Sequence, residues 1–196
     1  MRRINLALVQ LLYFVTSICW AQDSPPIPYI DNGACPFECC IYRQWQAKEP
    51  GVAYVDPSVG TGQAFSISAT EWVTAETGFV ATKEFGITRI LKPIRLGYPE
   101  DSEGTDQKPE LELKPGELLY ILHPAGEGYD VFWYHGKVYS DQITLDENNG
   151  PMDRSDLSIE SVSRPVTEWW VRIKNSKGQV GWIQIPPYFD NADACG

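Results

Sequence analysis

Along most of this chain apolar and polar residues alternate with a period of two, the spacing of a strand with one buried face. Phe65-Ser66-Ile67-Ser68 alternates, and Trp72-Val73-Thr74-Ala75 and Gly78-Phe79-Val80-Ala81-Thr82 have the β-branched and aromatic composition of strands. Ile87 to Leu91, Leu111 to Leu113 and Leu118 to Leu122 add short runs, the last two split by a Lys114-Pro115-Gly116-Glu117 turn. Tyr129 to Tyr134 and Lys137 to Tyr139 flank His135-Gly136, which predicts a hairpin. Trp169 to Lys174 resumes the strand pattern, and no segment predicts an amphipathic helix of three turns. The pattern predicts an all-β chain, built as one small barrel or two.

Composition shifts divide the chain. Met1-Arg2-Arg3 followed by the mostly apolar Ile4 to Ile18, with Ala21 before Gln22, predicts a signal peptide over residues 1–21. The expected product is exported, to the periplasm or the outside of a bacterial cell, with no membrane span once the signal is removed. Residues 22–34, with Pro25, Pro26 and Pro28, predict an extended arm. Residues 35–96 form an N-terminal β region or second small barrel. The polar stretch 97–110, rich in Asp, Glu, Pro and Gly, is expected to be a boundary loop, and 111–196 the C-terminal barrel.

Four cysteines follow the signal: Cys35, Cys39, Cys40 and Cys195. In an exported chain an even number reads as two disulfides. A bond between the adjacent Cys39 and Cys40 would be strained, so Cys195 is tied to the Cys35–Cys40 cluster and the other two close a short loop. Which cysteine takes Cys195 stays open. The Cys-x-x-x-Cys-Cys spacing does not suit a zinc site, so no metal is expected. Only His123 and His135 are available as general bases, and a Cys–His hydrolase using Cys39 or Cys40 is the enzymatic alternative. It would require an exposed thiolate, which an oxidising compartment disfavours. No nucleophile elbow, zinc-protease motif or glycine-rich phosphate loop occurs. No catalytic residue and no cofactor are therefore assigned. With 26 acidic against 16 basic side chains the net charge is -10, which argues against nucleic acid as a partner and favours a basic or neutral one.

Trp169-Trp170-Val171-Arg172-Ile173 runs through Lys177-Gly178-Gln179-Val180-Gly181-Trp182-Ile183, and Leu113-Lys114-Pro115-Gly116-Glu117-Leu118-Leu119 lies upstream. Together these resemble the bacterial SH3-like (SH3b) family. The resemblance implies an SH3-like barrel over residues 111–196, with the excess at about 123–167 inserted as an elaborated loop carrying the Tyr129–Tyr139 hairpin. It implies a non-enzymatic binding module for a cell-envelope ligand, a peptidoglycan-type peptide or glycan, or a partner protein. In such barrels one Trp of the Trp-rich strand lines the groove. Alternation puts Trp169, Val171 and Ile173 on the apolar, core face, so Trp170 is expected to face the ligand. Tyr188, Trp182 and Tyr134 are further groove candidates, their aromatic faces suited to sugar rings, peptides or cations. An acidic periplasmic inhibitor of a basic enzyme is the alternative within the binding class.

Overall fold

The structure, a computed structural model, describes residues 24–57, 62–96, 111–126, 128–143, 158–185 and 189–195. The expected signal peptide, the boundary loop at 97–110 and Tyr188 lie outside these residues. The described residues form fifteen strands and no helix, so the chain is all-β.

The two runs around Trp72 and Phe79 are one thirteen-residue strand, β5 (Trp72–Glu84), against which the first sheet is assembled. β13 (Val166–Asn175) pairs antiparallel along nearly all of it. The register shifts twice, at the end between Val166 and Thr167 and in the interior between Arg172 and Ile173, where Thr77 and Ala75 are the successive partners and Glu76 is the extra residue. This β-bulge lets a long strand bend without losing its ladder. The opposite edge of β5 is shared: β2 (Gln44–Ala47) takes Trp72 to Thr74, and β1 (Tyr29–Asn32) takes Phe79 to Thr82. Four residues of the expected proline-rich arm, Tyr29–Asn32, are thus a paired strand.

β14 (Val180–Ile185), β3 (Gly51–Tyr54) and β4 (Gln63–Ile67) extend the sheet beyond β13, and β15 (Phe189–Asp190) adds to β2 at the other end. The sheet curls into a half-barrel around Trp45, Phe65, Ile67, Val73, Val171 and Ile173. Their spacing in the strands is the period-two pattern of the sequence.

The second sheet has the order β11 (Lys137–Gln142), β10 (Tyr129–Tyr134), β9 (Leu118–Gly126), β6 (Gly86–Ile90), β12 (Ile159–Ser163). It packs Ile90, Leu119, Ile121 and Phe132 into a separate core. A short pair, β7 (Ile94–Leu96) with β8 (Leu111–Leu113), contributes Leu113 to that core. The strands therefore do not group in chain order on either side of 97–110. β6 pairs with β9 across that segment, whereas β13 and β14 return to β5 and β3. The physical reason is length and face: β13 offers ten residues with apolar side chains at alternate positions, and β5 is the strand long enough to match them.

Local turn chemistry follows the sequence closely. His135 and Gly136 both have positive φ (47° and 83°), as a two-residue hairpin turn requires, and Tyr134 pairs with Lys137 across it. The two sheets meet where Thr82 Oγ1 donates to the Leu122 carbonyl at 2.8 Å. His123 Nε2 lies 2.7 Å from Asp31 Oδ2, linking β9 to β1. Gly126, at φ +92°, lies so close to the backbone of Phe37 and Glu38 that a Cβ would stand 2.6 Å from Glu38 N. Among the described residues no helix is long and apolar enough to cross a membrane.

Tyr134 packs in the second core, its phenol pushed up to about 12 by burial first, then by its hydrogen bond to Glu117 and the nearby charge. The folded state holds this proton while the unfolded chain releases it near pH 10. The stabilisation is therefore complete below pH 10 and is lost as the pH rises through 12. Urea unfolding at pH 9 and pH 12 is expected to show the wild type losing more stability over that interval than Tyr134→Phe. Equal losses would mean that Tyr134 does not titrate late.

Candidate functional site

The two ends of the described chain are locked together. Cys35 bonds Cys40, and Cys39 bonds Cys195. The residues around the second bond run antiparallel: Cys40 bridges Asp193, Ile41 N donates to Ala192 O at 3.0 Å, and Ala194 N to Cys39 O at 2.8 Å. The Arg43 guanidinium adds two bonds of 2.7 Å, to the carbonyl oxygens of Asn191 and Asp193.

Between this clamp and the mouth of the half-barrel lies a cleft of about 310 Å³. Its volume is at the lower end of the range for small-ligand sites. Trp45 forms the floor, fully buried and held by a bond of 2.9 Å from its indole N–H to Ile41 O. Trp169 and Phe189 stand at 65° and 47° to Trp45, with ring centres 6.0 and 5.6 Å away. Phe37, from the loop between the cysteines, meets Trp169 edge-on at 5.7 Å. The rings are thus tilted walls and not a parallel stack. Trp169 is fixed by its indole N–H, which donates to Tyr42 Oη at 3.3 Å, and Tyr42 in turn donates to Ala34 O. Burial raises the Tyr42 pKa above its usual value, with the Trp169 bond opposing and Asp31 adding to the rise. The phenol therefore stays a neutral donor. On the rim Lys48 Nζ pairs with Asp190 Oδ1 at 2.6 Å, both half exposed, and Asp193 Oδ1 accepts from Cys195 N at 2.7 Å.

The expected groove residues are dispersed. Trp169 lines the cleft, whereas Trp170 is 3% exposed and does not line it. Alternation assigns the faces as expected, since Val171 and Ile173 are in the half-barrel core. The expectation that an outward Trp170 is open to a ligand is corrected by what surrounds it. Tyr54 meets it edge-on at 6.4 Å, its indole N–H donates to Glu168 Oε2 at 3.2 Å, and Phe79 is its partner on β5. Trp182 is half-buried and packs on Phe79 at 5.4 Å. Tyr134 belongs to the other core, and Tyr188 is not among the described residues.

The residues missed from the sequence are Phe37, Trp45 and Phe189, with Lys48, Asp190 and Asp193. A signal for them existed: a bond from Cys195 to the Cys35–Cys40 cluster necessarily brings 37–48 beside 189–193.

The hydrolase constellation does not assemble. Cys39 and Cys40 are both in disulfides, His123 is 2% exposed and bonded to Asp31 and to Pro124 O, and His135 is at the hairpin tip. Cys39, Cys195 and Asp193 place their donor atoms within 4.8 Å of one another, but the two sulfurs are joined and offer no thiolate. Comparison with protein-family models, with curated proteins and with solved structures finds no match to this chain, which leaves the cleft's own residues to define its chemistry.

Proposed function

We propose that this protein is an exported binding module that holds a cell-envelope ligand, a peptidoglycan-type peptide or glycan or a partner protein, in the cleft between Trp169 and Phe189. The observation that carries this is the cleft itself: four aromatic rings set at angles, with an ion pair on the rim, built where two disulfides fix the walls. Rigid aromatic anchors that lose little entropy on binding are the usual source of affinity in such sites. The disulfides and the signal-like first residues support export. The resemblance of the Trp169–Ile173 and Lys177–Ile183 segments to SH3-like barrels supports binding as the work, although the Leu113–Leu119 segment that shares in it lies outside their sheet.

Co-sedimentation with isolated bacterial peptidoglycan tests the proposal. Trp169→Ala is expected to reduce the bound fraction about tenfold with the far-UV circular dichroism unchanged, as is usual for an aromatic anchor. Phe37→Ala, at the tip of the disulfide loop, is a second variant less exposed to folding defects and should weaken binding in the same direction. Trp182→Ala, on the outer face, should bind as the wild type does. Wild-type protein that stays in the supernatant, or cleft variants that bind undiminished, would overturn it.

A further inference from the structure

A second cavity of about 280 Å³ adjoins the first. Phe189 lines both, and the walls continue through neighbouring residues: Lys48 in one and Glu49 in the other, Ile185 in one and Gln184 and Ile183 in the other. The two depressions are therefore the halves of one groove across the mouth of the half-barrel, with Phe189 standing between them. Each half is of a size for one long side chain, and a chain that fills both must be extended.

The charges select among extended chains. In the first half Lys48 is neutralised by Asp190, and the Asp193 carboxylate is the further charge on the lining, with the Arg43 guanidinium behind that wall on the Asn191 and Asp193 carbonyl oxygens. The formal charge in the second half is Glu49. The lining of each half thus carries one carboxylate beyond the Lys48–Asp190 pair, Asp193 in the first and Glu49 in the second, on a chain of net charge -10. The ring faces of Trp169 and Phe189 carry the negative quadrupole that attracts a cation, and more strongly where water is partly excluded.

Building on the binding function proposed above, we infer that the groove takes an extended peptide segment with basic side chains, one on each side of Phe189. Side chains two residues apart on an extended peptide point the same way, so an alternating basic sequence presents both to the groove. Asp193 and Glu49 supply the counter-charges, and Trp169 and Phe189 supply the faces on which the cations rest.

The probes are the acetylated, amidated pentapeptide Ala-Arg-Ala-Arg-Ala, the same peptide with citrulline in place of arginine, and N-acetylglucosamine tetramer, each titrated against tryptophan fluorescence of the full chain. The arginine peptide is expected to bind at least about tenfold more tightly than its citrulline counterpart, and to weaken about tenfold between low salt and 0.5 M salt. Asp193→Asn retains the acceptor for Cys195 N and should weaken the arginine peptide about threefold to tenfold, as should Glu49→Gln, with no effect on the citrulline peptide. Equal binding of the two peptides overturns the inference, as does binding of the glycan alone, though the latter leaves the binding module standing. If none of the probes binds while peptidoglycan still co-sediments in a Trp169-dependent manner, the inference likewise falls and the module stands. If peptidoglycan also fails to bind, both fall.

Discussion

Replacing Cys39 and Cys195 together by serine is expected to lower the unfolding free energy by about 3–5 kcal/mol, the larger of the two disulfide effects. The bond joins residues 156 positions apart, so its loss releases nearly the whole described chain to explore open conformations when unfolded. Chain entropy for a loop of that size gives about 5 kcal/mol as an upper figure, against about 2 kcal/mol for the Cys35–Cys40 loop, which spans only 5 positions. The function should suffer as well. Asp190 to Asp193 form one wall of the cleft and are otherwise held by the hydrogen bonds to Cys39, Ile41 and Arg43, and these must then compete with water. Urea unfolding of the two double variants, Cys39→Ser/Cys195→Ser and Cys35→Ser/Cys40→Ser, checks the ranking, and peptidoglycan co-sedimentation checks the cleft. A loss below about 1 kcal/mol in the first variant would mean that the backbone clamp alone holds the ends together.

The sequence makes local decisions legible where a single side chain or backbone angle settles them. His135-Gly136 announces its turn because few other residue pairs take positive φ twice in succession. The adjacency of Cys39 and Cys40 excludes one disulfide pattern of three, and Val171 and Ile173 declare the buried face of β13. What stays hidden depends on which strands become neighbours. Trp170 is hidden from solvent because β3 and β5 set Tyr54 and Phe79 around it, and no pattern within residues 169–174 contains that information. The interleaving of the two sheets is equally non-local: β5 and β6 are consecutive in the chain, yet β6 pairs with β9 and β5 with β13, strands that begin at Leu118 and Val166. The cleft draws its rings from residues 37, 45, 169 and 189, so it exists only once the ends have been brought together. The long disulfide was the available clue, and the aromatic residues beside its cysteines were the ones to follow.

Truncating Trp45 to alanine should cost about 3–5 kcal/mol, as large a loss as any single side chain in this protein is expected to give. Trp45 is fully buried in the half-barrel core, and Tyr42, Trp169 and Phe189 all rest on its ring. Removing it leaves a cavity that these neighbours can fill only by leaving their present positions. The same movement destroys the cleft, because two of those three rings are its walls. Trp45→Phe separates the contributions. A phenyl ring retains most of the floor but leaves the Ile41 carbonyl without the indole donor, so the expected loss is about 1–2 kcal/mol. The damage should also extend beyond the first sheet. β5 runs into β6 across Phe85 alone, and Thr82 to Leu122 and His123 to Asp31 tie the two sheets together. Amide protection at Leu119 and Ile121 in the second core is therefore expected to fall in Trp45→Ala along with that at Val73 and Val171. Unchanged protection in the second sheet would show that the two cores unfold separately, and a total cost below about 2 kcal/mol would remove Trp45 from the centre of the first.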